Sequence, residues 1–281
     1  MEMTLYDHHC INKCTSKPTS LQINTMIKLK HLLCLLLFLF PGGLLACSCA
    51  LESVVNNFQA SEFVAKAKII KITPDPSNSE YHDAVIEIIN LYKGEQLRKI
   101  KIMSSLNTSC SFLPNENSTW IIFASKWQGM LSFGFCSGSI QLDRTFNSVQ
   151  YPNAAKNYGN TIRLKEDVLA FLKDQSLVNP NPDLVHPYNT ELETFKGYKN
   201  KNKIAAFQVD LNEDLSISRI KQLKKFQNSH LNTLVFNSMK TNLKFYGKRG
   251  KPLAKPARLT LFCYYYEQNG SEQSFLSFID L

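Results

Sequence analysis

From Phe63 to Ile69 the apolar residues Phe63, Ala65, Ala67 and Ile69 alternate with Lys66 and Lys68, the period of a half-buried strand. The phase then slips, with Ile70 and Ile72 apolar around Lys71, so a β-bulge is expected at Ile69-Ile70. Pro74 to Asn78 reads as a turn. Ala84 to Tyr92 and Lys99 to Met103 predict two more strands. Trp120 to Ala124 is a continuous apolar run, hence a strand covered on both faces, and Met130 to Phe135 is a fifth. Five strands with short polar connections, over about 90 residues, predict a small closed or partly open barrel of the OB type. The stretch Glu52 to Glu62 before them is mixed, a loop or a short helix. Leu164, Val168, Phe171 and Leu172 make the stripe of a helix over 162–171 that packs on the barrel.

Residues 176–189, with Pro180, Pro182 and Pro187 among polar neighbours, read as a linker. Beyond it the pattern changes. Ala205, Phe207, Val209 and Leu211 alternate, Asn212-Glu213-Asp214 turns the chain, and Leu215 to Ser218 resumes the alternation, which predicts a hairpin. Ser229 is placed to cap a helix carrying Leu231, Leu234, Val235 and Met239. A turn at Gly247 to Pro252 leads to a last strand with Leu259, Leu261, Cys263 and Tyr265 on one face. The expected fold class is mainly β with an α+β part: a five-stranded barrel and its helix over 47–175, then a β-β-α-β domain over 190–281.

The N-terminal pattern belongs to targeting. Lys28 and Lys30 precede the apolar run Leu32–Phe40, followed by Pro41-Gly42-Gly43 and the small residue Ala46. That order predicts an export signal over 26–46, cut after Ala46, with residues 1–25 a leader extension ahead of Met26. The run is shorter than the roughly 20 residues that cross a bilayer. Cleavage leaves 235 residues starting at Cys47, and five cysteines: Cys47, Cys49, Cys110, Cys136 and Cys263. An exported chain meets an oxidising compartment, where pairing is expected, and an odd count leaves at least one cysteine outside an intramolecular pair. Leu44-Leu45-Ala46-Cys47 also fits a lipobox, so the Cys47 sulfur has two fates, a lipid thioether or a disulfide. Membrane attachment follows only from the first.

Charge changes the picture in one half. Residues 47–190 hold 13 Lys and Arg against 13 Asp and Glu, whereas residues 191–281 hold 15 against 8. The basic excess fits either an anionic partner or a lysine-rich solvated face. Catalytic patterns are missing. His82, His186 and His230 lie far apart, and the sequence holds no Cys-x-x-Cys, His-Glu-x-x-His, Gly-x-Ser-x-Gly or phosphate-binding glycine loop. No enzyme activity, cofactor or bound metal is expected. Export argues against nucleic acid as the partner of Phe245-Tyr246-Gly247-Lys248-Arg249. Asn107, Asn117 and Asn269 head glycosylation triplets that matter only in a eukaryotic secretory route.

Several of these motifs come together in one family. Cys47-Ser48-Cys49 after a signal cleavage site, Tyr92-Lys93-Gly94 at a strand end, Cys110, Trp120-Ile121-Ile122-Phe123-Ala124 and Phe135-Cys136 resemble the N-terminal domain of tissue inhibitors of metalloproteinases, within the netrin-like OB superfamily. The resemblance spans about 47–145. It implies disulfides Cys47–Cys110 and Cys49–Cys136. It also implies that the α-amine and carbonyl of Cys47 lie over a protease's catalytic zinc, with Ser48 entering the specificity pocket. The family's third N-domain bridge and its six-cysteine C-terminal domain have no counterpart here, which points to a bacterial or distant relative. Residues 190–268 resemble the C-terminal domain of TonB-like envelope proteins, with Phe245-Tyr246 near the place of the usual tryptophan-proline pair. The expected function is an exported, non-enzymatic binding protein of the periplasm, outer-membrane surface or extracellular space, with a protein or envelope component as partner. A zinc metalloprotease inhibitor acting through Cys47 is the alternative, and a TonB-like envelope component is the second alternative.

Overall fold

The computed structural model describes residues 47–49, 53–175, 185–247 and 251–279. The leader, the export signal and the first nine residues of the expected linker lie outside them. Cys47 to Leu281 form one compact unit.

The first half is mainly β. Helix α1 (Val54–Ala60) precedes β1 (Phe63–Pro74), β2 (Tyr81–Lys93), β3 (Lys99–Met103), β4 (Thr119–Trp127), β5 (Met130–Gly134) and the short β6 (Ile140–Gln141). The strands run β1-β2-β3-β5-β4, and β4 pairs back onto β1, closing a five-stranded barrel of OB type. All neighbours are antiparallel except β3 and β5. The expected bulge is present: Ile69 pairs with Ile86 and Lys71 with Val85. Ile70 is the extra residue and faces outward, and only Ile72 returns to the interior. Lys101 on β3 bridges Asp75 at 2.6 Å and Asp83 at 2.8 Å, tying three strand ends together. Its hydrogen bond, with those of Ser77, holds the Asp75 carboxyl well below the usual range.

Strand β4 is buried on both faces, as its unbroken apolar run implies. Trp120, Ile122 and Ala124 join the barrel interior with Phe63, Ile102 and Phe133. Ile121 and Phe123 face outward and are covered by α1 and by α2 (Ala154–Gln175). Helix α2 starts eight residues earlier than its stripe suggests. Its first two turns are polar and carry Gly159, so they have no apolar periodicity to read. They are held from outside, by Tyr158 donating to the Gln141 carbonyl and stacking edge-on with Phe146.

The second half is a four-stranded sheet, β12-β11-β8-β9, with one helix. Its parts are β7 (His186–Tyr188), a 3-10 turn (Thr190–Thr194), β8 (Ile204–Leu211), β9 (Ile217–Lys224), α3 (Ser229–Thr241), β10 (Lys244–Tyr246), β11 (Ala257–Tyr266) and β12 (Phe275–Ser277). Two details differ from the sequence reading. The helix cap is Asn228, not Ser229, its side chain accepting from the Leu231 N–H at 3.0 Å. Leu215 sits in the turn with φ +70°, so β9 begins at Ile217. The end of the expected linker is also structured. Val185 is buried, and β7 pairs with β10 even through Pro187, as an edge strand allows.

The two halves share a core. One face of the sheet (Ala205, Phe207, Val209, Leu259, Leu261, Cys263) packs on α3. On the other, Ile204, Ala206, Phe262 and Tyr264 pack with Val168, Leu169, Phe171 and Leu172 of α2. Phe171 meets Phe262 edge to face at 5.7 Å, with the Lys224 ammonium 5.6 Å from the Phe171 ring. The barrel and the sheet are therefore not beads on a linker. Purified protein should unfold in one cooperative transition, and Phe262→Ala should lower its stability by about 3–5 kcal/mol. Two separate transitions in thermal or urea unfolding would show that the shared core does not couple the halves.

Candidate functional site

The site built from the sequence motifs is the edge Cys47-Ser48-Cys49. Cys47 is bonded to Cys110, with Cα atoms 5.1 Å apart, and Cys49 to Cys136, at 5.2 Å. These are the pairs the family resemblance implies. They close loops of 63 and 87 residues, each stabilising the fold by about 4 kcal/mol in the chain-entropy account. Alternate residues of a three-residue stretch are thus fixed to different parts of the barrel, one ahead of β4 and one after β5. Ser48, between them, is exposed.

Helix α1 continues this edge into the barrel. Ser53 caps it, accepting from the Asn56 N–H at 3.2 Å. At its far end the Lys93 ammonium donates to the carbonyls of Phe58 and Gln59 at 2.9 and 3.0 Å, with the Phe58 ring 5.3 Å away. A cation there meets the carbonyls that a helix leaves unpaired. Burial draws the Lys93 ammonium below its ordinary value, against the pull of Glu62. Tyr92 is buried among the residues that cover β4; burial first, and Glu166 second, push its hydroxyl up to about 12. Gly94 has φ +89°, and a Cβ there would lie 2.6 Å from the Glu62 carbonyl. Tyr92-Lys93-Gly94 therefore acts as one unit that packs, caps and turns, and it sets where α1 leads into β1.

Around the edge, large apolar residues face solvent. Leu106 and Leu113, on either side of Cys110, are 45% and 44% exposed, and Phe135, next to Cys136, is 50% exposed. The sequence reading did not single them out as surface groups. The apolar run Met130 to Phe135 predicts a strand ending at Phe135, whereas β5 stops at Gly134.

The sulfurs of Cys47, Cys49 and Cys136 lie within 4.8 Å of one another, but each is half of a disulfide and has no thiolate to offer a metal. The Cys47 sulfur in this bond cannot also carry a lipid thioether. Among the described residues no other group of His, Cys, Asp and Glu has metal-ligand spacing. His82 is buried with its Nδ1 2.8 Å from the Ser104 hydroxyl, and His230 rests against Tyr198. Phe245 is buried in the C-terminal core. No helix among the described residues is long and apolar enough to cross a membrane.

Among the described residues Cys263 is the free thiol, fully buried, and burial pushes its pKa far up. A thiol reagent should leave Cys263 unmodified in native, oxidised protein and modify it after denaturation; fast labelling of the native form contradicts this packing. At Gly94 an alanine carries a left-handed strain of about 1–3 kcal/mol in addition to the clash with the Glu62 carbonyl. Gly94→Ala should lower the unfolding free energy by at least that much, and an unchanged denaturation midpoint would mean that the turn relaxes freely.

No protein-family model matches the chain, and no curated protein matches it, so the functional reading rests on the residues that build this edge.

Proposed function

We propose that this protein is an exported, non-enzymatic binding module that engages a protein partner through the disulfide-clamped edge Cys47-Ser48-Cys49. The observation that carries the reading is the exposure of Ser48 between two half-cystines anchored to different parts of the barrel. A segment held in this way loses little conformational freedom on binding, so more of its contact energy appears as affinity. The exposed Leu106, Leu113 and Phe135 flank the anchoring cysteines and offer apolar area for a partner to cover. Disulfides fit an oxidising compartment.

The sharper form of the reading is inhibition of a zinc metalloprotease, favoured by the Cys47–Cys110 bond. With the signal removed after Ala46, the Cys47 amine and carbonyl would be presented by a rigid backbone. Catalytic zinc keeps an open coordination position that such a pair can fill, displacing the water that attacks substrate. Only the neutral amine has a lone pair to give, and an α-amino group with a pKa of about 7.7–8.0 supplies a useful fraction near neutrality. Ser48 would then point into the protease's specificity pocket, where its small side chain fits. On this reading the portion that resembles metalloproteinase inhibitors is a barrel that presents the edge, and the TonB-like portion is a sheet that buttresses it.

The test uses mature protein starting at Cys47 beside a version with one extra N-terminal alanine, against a panel of zinc metalloproteases. The expected result is inhibition by the first and its loss in the second, with weaker inhibition at pH 6 than at pH 8 as the amine protonates. If neither inhibits, or both inhibit equally, the zinc mechanism is wrong. The broader binding reading is tested separately: Ser48→Arg and Phe135→Ser should each abolish capture of whatever partner the wild-type protein retains from its native medium. Retention of that partner by both variants would place binding elsewhere on the molecule.

A further inference from the structure

A second site lies away from the cysteines, in a cleft of about 210 Å³ between the first turns of α2 and the end of β11. Along α2, Leu164, Val168 and Phe171 form the stripe that packs into the shared core. The same face continues towards the N-terminus as Thr161, Asn160 and Asn157, three, four and seven residues before Leu164. An amphipathic helix that simply packed on the sheet would keep this face apolar. Here it lines the cleft with two amides and a threonine, the Asn160 oxygen accepting from Arg163 at 2.6 Å and the Asn157 oxygen from the Asn269 amide at 3.5 Å. The opposite wall is aromatic, with the Tyr266 and Phe275 rings stacked at 4.8 Å and 13°. The loop between them is tied to α2 across the mouth: the Lys156 ammonium donates to the Asn269 amide oxygen at 3.2 Å.

We propose that this cleft binds a neutral saccharide unit. Each wall favours that chemistry over the alternatives. An apolar ligand would desolvate the amide N–H groups of Asn157 and Asn160 without giving those donors acceptors, which is costly. An anionic ligand would need an unpaired cation. The cation lining the cleft, Lys203, is already paired with Glu267 at 2.5 Å, and Glu272 is the other charged lining residue. A pyranose has one face of C–H groups that packs on an aromatic wall and a rim of hydroxyls that both donate and accept. Amide side chains do both as well, and a carboxylate paired with lysine still accepts. Ligand sites favour the seams between packed layers, where this cleft lies. The inference stands independently of the clamped edge, which shares none of these residues.

The test is ligand-observed NMR and calorimetry on mature, oxidised protein with the methyl glycosides of glucose, galactose and N-acetylglucosamine, and with glutamate as a charged control. Saturable binding of at least one glycoside is expected, weakened about tenfold by Asn157→Ala and by Tyr266→Leu. Asn157 is exposed, so its variant should keep the wild-type thermal midpoint and report on the site alone. Three results would each overturn the proposal: no glycoside binding up to about 10 mM, a Kd unchanged in both variants, or glutamate binding more tightly than every glycoside.

Discussion

The constraint on which the rest depends is the burial of β4 on both faces. A strand that reads Trp-Ile-Ile-Phe-Ala cannot leave either side in water. The barrel interior takes Trp120, Ile122 and Ala124, which requires β1 and β4 to pair and close the barrel. The outward side, Ile121 and Phe123, requires a second cover, and the chain supplies α1 and α2. Once α2 lies there its other apolar residues need a partner of their own. Ile204, Ala206, Phe262 and Tyr264 meet that need, and the C-terminal sheet is drawn into the same core. Each layer follows from the one beneath it.

The cystines work at the opposite end of this hierarchy. They add nothing to the burial of β4, but they decide where the chain before α1 must lie. Cys47 and Cys49 are too close in sequence to wander independently once bonded, and α1 is fixed by Lys93 at its far end. Segment and helix are therefore held at both ends of a short stretch. This is why the alternative fate of Cys47 matters. A lipid on its sulfur would forfeit the 63-residue loop closure and the anchor ahead of β4 together.

How much of this was legible in the sequence follows the same physics. Strand positions and the bulge could be read, because a two-residue period fails visibly when one residue is inserted, as at Ile70. The length of α2 could not, because Asn157, Gly159 and Asn160 carry no periodicity; their helical state is imposed by Tyr158, Phe146 and the Gln141 carbonyl. Asn228 was missed as a cap since Ser229 beside it is equally able chemically, and only the turn geometry chooses. The disulfide pairing needed the family resemblance, for spacing alone does not order four cysteines. The exposed Phe135 was hidden by its own hydrophobicity.

The one-sided reading of the C-terminal sheet shows where periodicity misleads. Leu259, Leu261, Cys263 and Tyr265 do share a face, yet Phe262 and Tyr264 between them are equally buried. The uninterrupted run Leu261 to Tyr266 carried the same message as Trp120 to Ala124: a strand with two covers. Charge on the neighbouring elements then falls into place. Lys224 lies over Phe171, Lys240 over Phe236, and Arg258 pairs with Asp210 at 2.7 Å. Several cations of the basic half thus have partners within the fold, where long side chains cover aromatic surface with their stems. Strand β9 is an edge of the sheet, and it carries Arg219, Lys221 and Lys224. A row of cations on an open edge repels the approach of a second such strand. Part of the positive charge of residues 191–281 thus lies over aromatic rings or along an edge strand of the sheet.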